Sequence, residues 1–248
     1  MLAESLATRQ IAFPGEGDTF LKNGNWNLIE NGANSEAAGL CGRVVRATQA
    51  AWPTLAFEGD LGGPWSLVLG KLSFRPHDGA SSEALPAPSA FLVQEPFLVV
   101  PHAIASDVGL RIVVQFLAEE SSLTMDVRLE TIAPLDNVSL TLDLSWKGVE
   151  LSPLSGLNKS TGRISRKDAS WFDVTKDGVC LGGVATDLGE GGHVERHGDS
   201  WRLVMFDQPL EKGVILVGRF GIVGRNPSED AISFRQNHEK QLERPTFL

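Results

Sequence analysis

The segment Gly189-Glu190-Gly191-Gly192-His193-Val194-Glu195-Arg196-His197 holds the residue types best suited to chemistry. If it is extended, side chains alternate across the strand, and His193, Glu195 and His197 share one face. Two imidazoles and a carboxylate suit a divalent transition metal with positions left for water or substrate. The same trio could act in acid–base catalysis, with His193 or His197 as proton carrier and Glu195 as its partner. Glycines before the trio and Gly198-Asp199-Ser200 after it favour the competing reading of a solvated loop. Two other histidines stand alone: His77, before Asp78 at the head of a stretch rich in Pro, Ala and Ser, and His102 after Pro101. Both read as exposed loop residues.

Aromatic residues beside polar ones form a second pattern. Trp171 precedes Asp173, Trp65 follows Asp60, and Trp26 sits among Asn23, Asn25 and Asn27. Sugars combine apolar C–H faces with a ring of hydroxyls, so a site for them wants indole faces next to hydrogen-bonding groups. A suitably spaced pair of carboxylates would add glycosidic chemistry. Trp26, Trp65 and Asp173 are therefore candidate ligand-binding residues. Trp26 is expected to be exposed, whereas Trp146 and Trp201 continue apolar faces and are expected in the core. The chain has no Tyr, so an aromatic recognition surface must draw on its 6 Trp or 12 Phe. Motifs for a phosphate-binding loop (G-x-x-x-x-G-K-S/T), a nucleophile elbow (G-x-S-x-G) and a zinc protease (H-E-x-x-H) are absent.

Something must hold these residues in place, and the pattern around them is almost entirely β. Leu110, Ile112, Val114 and Phe116 alternate with Arg111, Val113, Gln115 and Leu117. Leu123, Met125, Val127 and Leu129 follow with the same period, and then Val138, Leu140, Leu142, Leu144 and Trp146. Short turns between these runs predict an antiparallel meander with one dry face. Asp177-Gly178 between Trp171–Lys176 and Val179–Leu181 predicts a tight hairpin. Pro96 within the run 91–100 suggests an edge or a bulge, and Ile232–Phe234 reads as a last short strand before a charged tail. Residues 76–90 show no period and are the one plausible internal boundary of an otherwise single domain over residues 1–248. An all-β fold follows, an antiparallel β-sandwich with little helix, since a sheet with one apolar side must bury it against a second layer.

A formal net charge of -9 opposes binding to nucleic-acid phosphates. No run approaches the roughly 20 apolar residues of a membrane span, and Met1–Gln10 lacks the basic and apolar regions of a signal peptide. The chain as written is thus expected to be cytoplasmic, with no membrane partner. Cys41 and Cys180 are too few for a disulfide framework and read as two buried thiols.

From Trp171 onward the chain resembles the galactose-mutarotase-like supersandwich found in the β domains of α-mannosidase-type glycoside hydrolases. Trp171, Asp173, Val174, Gly178, Val179, Arg202, Leu203 and Pro209 carry the resemblance. It implies a large two-sheet sandwich and a carbohydrate context, and it transfers no catalytic residue. The leading expectation is a supersandwich-type protein that binds or processes a sugar, or another small molecule, on one sheet face. Two alternatives remain open. One is a non-catalytic assembly sandwich that forms a homo-oligomer through the partly apolar face of Arg111, Val113, Gln115 and Leu117. The other is a metal-dependent enzyme centred on His193, Glu195 and His197.

Overall fold

The computed structural model describes residues 26–35, 40, 42–103, 109–119, 121–153, 163–226 and 228–242. Expectations that fall on Cys41, Asn23, Asn25 and residues 154–159 lie outside this set. In chain order the strands begin with β1 (Trp26–Ile29), β2 (Gly32–Ser35), β3 (Gly42–Gln49), β4 (Trp52–Asp60) and β5 (Pro64–Pro76). Then come β6 (Ser82–Ala84), β7 (Ala87–Pro88), β8 (Leu92–Gln94), β9 (Phe97–Ala103), β10 (Leu110–Ala118), β11 (Ser122–Thr131) and β12 (Leu135–Trp146). The rest are β13 (Glu150–Pro153), β14 (Arg163–Ser165), β15 (Trp171–Lys176), β16 (Val179–Asp187), β17 (His193–His197), β18 (Ser200–Leu210) and β19 (Ile215–Gly224), followed by the helix α1 (Ala231–Leu242).

These strands form two antiparallel sheets. The first has ten strands in the order β1-β2-β3-β4-β5-β12-β18-β17-β14, with β6 on β5; the second has nine in the order β13-β15-β16-β19-β11-β10-β9-β7, with β8 on β9. The all-β sandwich expected from the alternation is the observed architecture. Leu67, Leu69, Leu72, Leu140, Leu142 and Leu144 of the first sheet face Ile112, Val114, Leu123, Met125, Val127 and Leu129 of the second in one buried cluster. Phe116 reaches from β10 to the aromatics of the opposite sheet, meeting Phe57 edge-on at 5.0 Å and Trp26 at 6.2 Å between ring centroids.

Within residues 76–90 the chain changes sheets, β6 adding to β5 and β7 to β9. Three local expectations are corrected. First, the run from Leu110 to Trp146 is not one meander: β10 and β11 pair, but β12 lies in the other sheet, between β5 and β18. Both stretches have one dry face, and crossing between sheets lets those faces bury each other, which alternation within each strand cannot distinguish from pairing. Second, Pro96 forms neither an edge nor a bulge but the turn of the β8–β9 hairpin, with Gln94 opposite Phe97. Third, Ile232–Phe234 is helical. Asp230 Oδ1 accepts hydrogen bonds from the Ile232 and Ser233 amides at 3.0 and 3.1 Å, capping α1. Phe234 then packs on Trp171, Ala185 and Val223 on the outer face of the second sheet, while Ile232 stays exposed.

That outer face also carries a buried ion pair. Arg219 of β19 grips Asp126 of β11 with two hydrogen bonds, the second at 2.7 Å, and the side chains are only 6% and 4% exposed. Burial pushes the Asp126 carboxyl upward, and the two bonds from Arg219 pull the other way.

Candidate functional site

The outer face of the first sheet gathers polar side chains in rows set by strand register. Asn27, Asn34, Arg43, Glu58, Ser66, Ser145, Ser200 and His197 are successive cross-strand partners from β1 to β17. One pleat further on, Val45, Ala56, Val68, Asp143, Arg202, Glu195 and Arg163 form a second row. The second row is apolar over β3–β5 and ionic from β12 outward.

At the ionic end the segment 193–197 is a strand, not the solvated loop its flanking glycines suggest. Gly191 and Gly198 instead adopt positive φ at the strand's two ends, the conformation that glycine tolerates best. His193, Glu195 and His197 do share a face. Glu195 Oε1 lies 3.2 Å from His193 Nε2 and Oε2 lies 3.3 Å from His197 Nε2. Arg163 Nε adds an ion pair to Oε1 at 2.8 Å. Desolvation raises the Glu195 carboxyl, but the hydrogen bonds from His197 and His193 and the charge of Arg163 outweigh it and hold the group below its usual range. Each imidazole is thus turned to the carboxylate, and among the described residues no three His, Cys, Asp or Glu side chains are arranged to share an ion.

Over β2–β5 and the end of β12 the same face opens into a cleft of about 690 Å³, a size typical of small-molecule sites. Asn34, Arg43, Glu58, Asp60, Ser66 and Lys147 supply its polar lining. Trp65 lies at its edge with Ser145. Arg43 Nε and its terminal nitrogen both donate to Glu58 Oε2, at 3.1 and 2.6 Å, which leaves Oε1 without a partner among the described residues. Two cations and two carboxylates therefore balance within the cleft.

The aromatic candidates are dispersed. Trp26, expected to be exposed, is 1% exposed and packs on Phe116 in the core; its polar sequence neighbours hid the fact that it falls on the sheet's inner face, opposite the buried Ser35. Trp65 is also buried, edge-on to Phe57 at 5.0 Å, and only borders the cleft. Asp173 lies on the outer face of the second sheet, accepting a bond from Trp171 Nε1 at 2.8 Å and pairing with Arg235 of α1 at 3.4 Å. It is therefore on the opposite side of the sandwich from the His193 trio. Trp146 and Trp201 are buried, as their faces predict, and Trp52 is the exposed indole, 63% accessible beside the β3–β4 turn. That turn places Ala50 and Ala51 at positive φ, a conformation with no Gly or Asn to announce it. Reading it as a two-residue hairpin would have set Arg43 opposite Glu58 and disclosed the cleft.

Of the lone histidines, His77 is exposed as expected. Its imidazole bonds Asp136 at 2.9 Å, and that bond, with the Asp136 charge, raises its affinity for a proton. His102 is not a loop residue: it lies on β9, 7% exposed, with neither ring nitrogen hydrogen-bonded among the described residues. Burial lowers its pKa from 6.5 to about 4. Between those values the unfolded chain takes up a proton that the folded chain refuses, so stability falls as the pH drops through this window. The loss should reach about 3 kcal/mol by its lower end. Guanidinium unfolding at pH 7.5 and 5.0 should show a smaller acid loss for His102→Leu than for the native protein; equal losses would refute the assignment.

No helix among the described residues is long and apolar enough to cross a membrane. No family model matches the sequence, and no curated protein matches it. Among solved structures, a protein described as a kojibiose phosphorylase from the human microbiome is 11% identical, with a TM-score of 0.43. The match covers 89% of this chain and 32% of that one, so this chain spans only a part of that protein's length. So distant a likeness says nothing about this chain's ligand.

Proposed function

We propose that the protein binds a neutral carbohydrate in the cleft over β2–β5. The observation that carries this reading is the lining itself. Arg43, Lys147 and Asn34 offer donors, Glu58 and Asp60 offer acceptors, and Ser66 and Ser145 offer hydroxyls that do both. In the adjacent row the half-buried Val45 and Val68 flank a buried Ala56, a small apolar surface suited to the C–H face of a sugar ring. Balanced charge in the cleft and a net charge of -9 overall disfavour a polyanionic ligand.

Titration calorimetry against linear neutral gluco-, galacto- and manno-oligosaccharides tests the proposal. At least one series should bind, and Arg43→Ala or Glu58→Ala should weaken that binding about tenfold or more, the cost of losing a charged hydrogen-bonding group in a site. An absence of binding in every series would overturn the reading.

A second reading places acid–base chemistry on the bound sugar at His193, Glu195 and His197. It is favoured by the approach of both imidazoles to one carboxylate and by the row that links His197 through Ser200 to Ser145 at the cleft.

A further inference from the structure

A second cleft, of about 780 Å³, lies at the end of the sandwich where turns from both sheets meet. Its charged lining is Lys147, Glu150, Lys176, Asp177, Arg196 and Asp199, three cations against three carboxylates. Trp146 and Trp201, both almost wholly buried, border it, and the Arg196 guanidinium lies over the Trp201 ring at 5.5 Å from its centroid. Lys147 lines both clefts.

The ridge between them is built from backbone. Lys147 donates its amide to Pro64 O at 3.1 Å, and Lys176 Nζ donates to Gly62 O at 2.7 Å, tying the β4–β5 turn to the second sheet. A methyl group on Gly63 would come within 2.0 Å of Lys147 O, so backbone meets backbone there and a larger residue has no room. Beneath the ridge, Trp65 of the first cleft and Trp146 of the second stand 5.9 Å apart. Their indole nitrogens are both buried and without a partner among the described residues, a rare state for an N–H donor.

We infer that the two clefts are successive subsites of one groove, with Lys147 at the junction, and that the ligand is an oligosaccharide long enough to cross the ridge. This rests on the carbohydrate reading of the first cleft. Three features support the continuation: the shared lysine, the close backbone contact between Gly63 and Lys147, and a lining that again balances cations against carboxylates. A neutral polyol meets a partner for its hydroxyls on both sides. A polyanion would meet Glu150, Asp177 and Asp199 in the second cleft after Glu58 and Asp60 in the first.

Calorimetry over chain length in the same gluco-, galacto- and manno- series, from about two to six sugar units, tests this directly. In the series that binds, affinity should rise about tenfold or more from the disaccharide to the longest member. Arg196→Ala combined with Asp199→Ala should remove that rise while leaving the disaccharide's affinity unchanged, whereas Arg43→Ala should weaken every length. A disaccharide that binds with no gain on lengthening would overturn the two-subsite groove and leave the first cleft's reading standing. Binding at no length would overturn both.

Discussion

Asp126→Ala is expected to destabilise the protein by about 3–5 kcal/mol, because it removes the carboxylate that accepts two hydrogen bonds from the buried Arg219 guanidinium. Most buried ionisable groups escape such a loss by becoming neutral, but arginine holds its proton throughout the accessible pH range. The pair sits on the outward side of β11 and β19, where a surface ion pair would contribute little, yet its side chains are only 4% and 6% exposed. Thr124 and Gln115 beside it on that face are buried too. For a chain of this size the loss corresponds to a fall in Tm of about 10 °C. Replacing both partners, Asp126→Leu with Arg219→Met, should recover most of the stability, since no charge is then left buried. A single variant that melts within about 2 °C of the native protein would show the pair to be solvated.

Phe116→Ala is expected to cost about 3–5 kcal/mol for a different reason. Phe116 is fully buried and is the second sheet's contact with Trp26 and Phe57 of the first. Its removal loses the transfer energy of the ring, leaves a cavity between sheets that cannot close around one side chain, and breaks two edge-on aromatic contacts worth about 0.5–1.5 kcal/mol each. Trp52→Ala, which removes a larger but exposed aromatic, should change stability by no more than about 0.5 kcal/mol. Denaturant midpoints for the two variants, at unchanged slope, measure the contrast. Equal effects would mean that the aromatic cluster does not bridge the sheets.

Period-2 alternation made the strands and their buried faces legible in sequence, because each face-setting residue reports its own environment. The Asp177-Gly178 hairpin was legible as well, since its chemistry demands the positive φ that both residues adopt. The partner of each strand was not. Leu123–Leu129 and Val138–Trp146 show the same pattern whether they pair within a sheet or face each other across a core. The cleft was hidden for a related reason: Arg43, Glu58, Ser66 and Ser145 come from four strands, and only register makes them neighbours. By contrast, His193, Glu195 and His197 belong to one strand, so spacing gave their common face once the segment was taken as extended, which its flanking glycines argued against. Trp26 misled because local polarity describes its sequence neighbours, whereas its burial is decided by Phe116, far along the chain.

The proposed ligand, a neutral oligosaccharide, lies on the outer face of the first sheet, over β2–β5. Amide chemical-shift mapping during titration with whichever oligosaccharide binds in calorimetry addresses it most directly. The predicted result is a set of shifted amides that includes Arg43, Glu58, Ser66 and Lys147, with the second sheet's Asp126 and Arg219 unmoved. Shifts confined to His193–His197, or to the outer face of the second sheet, would contradict it.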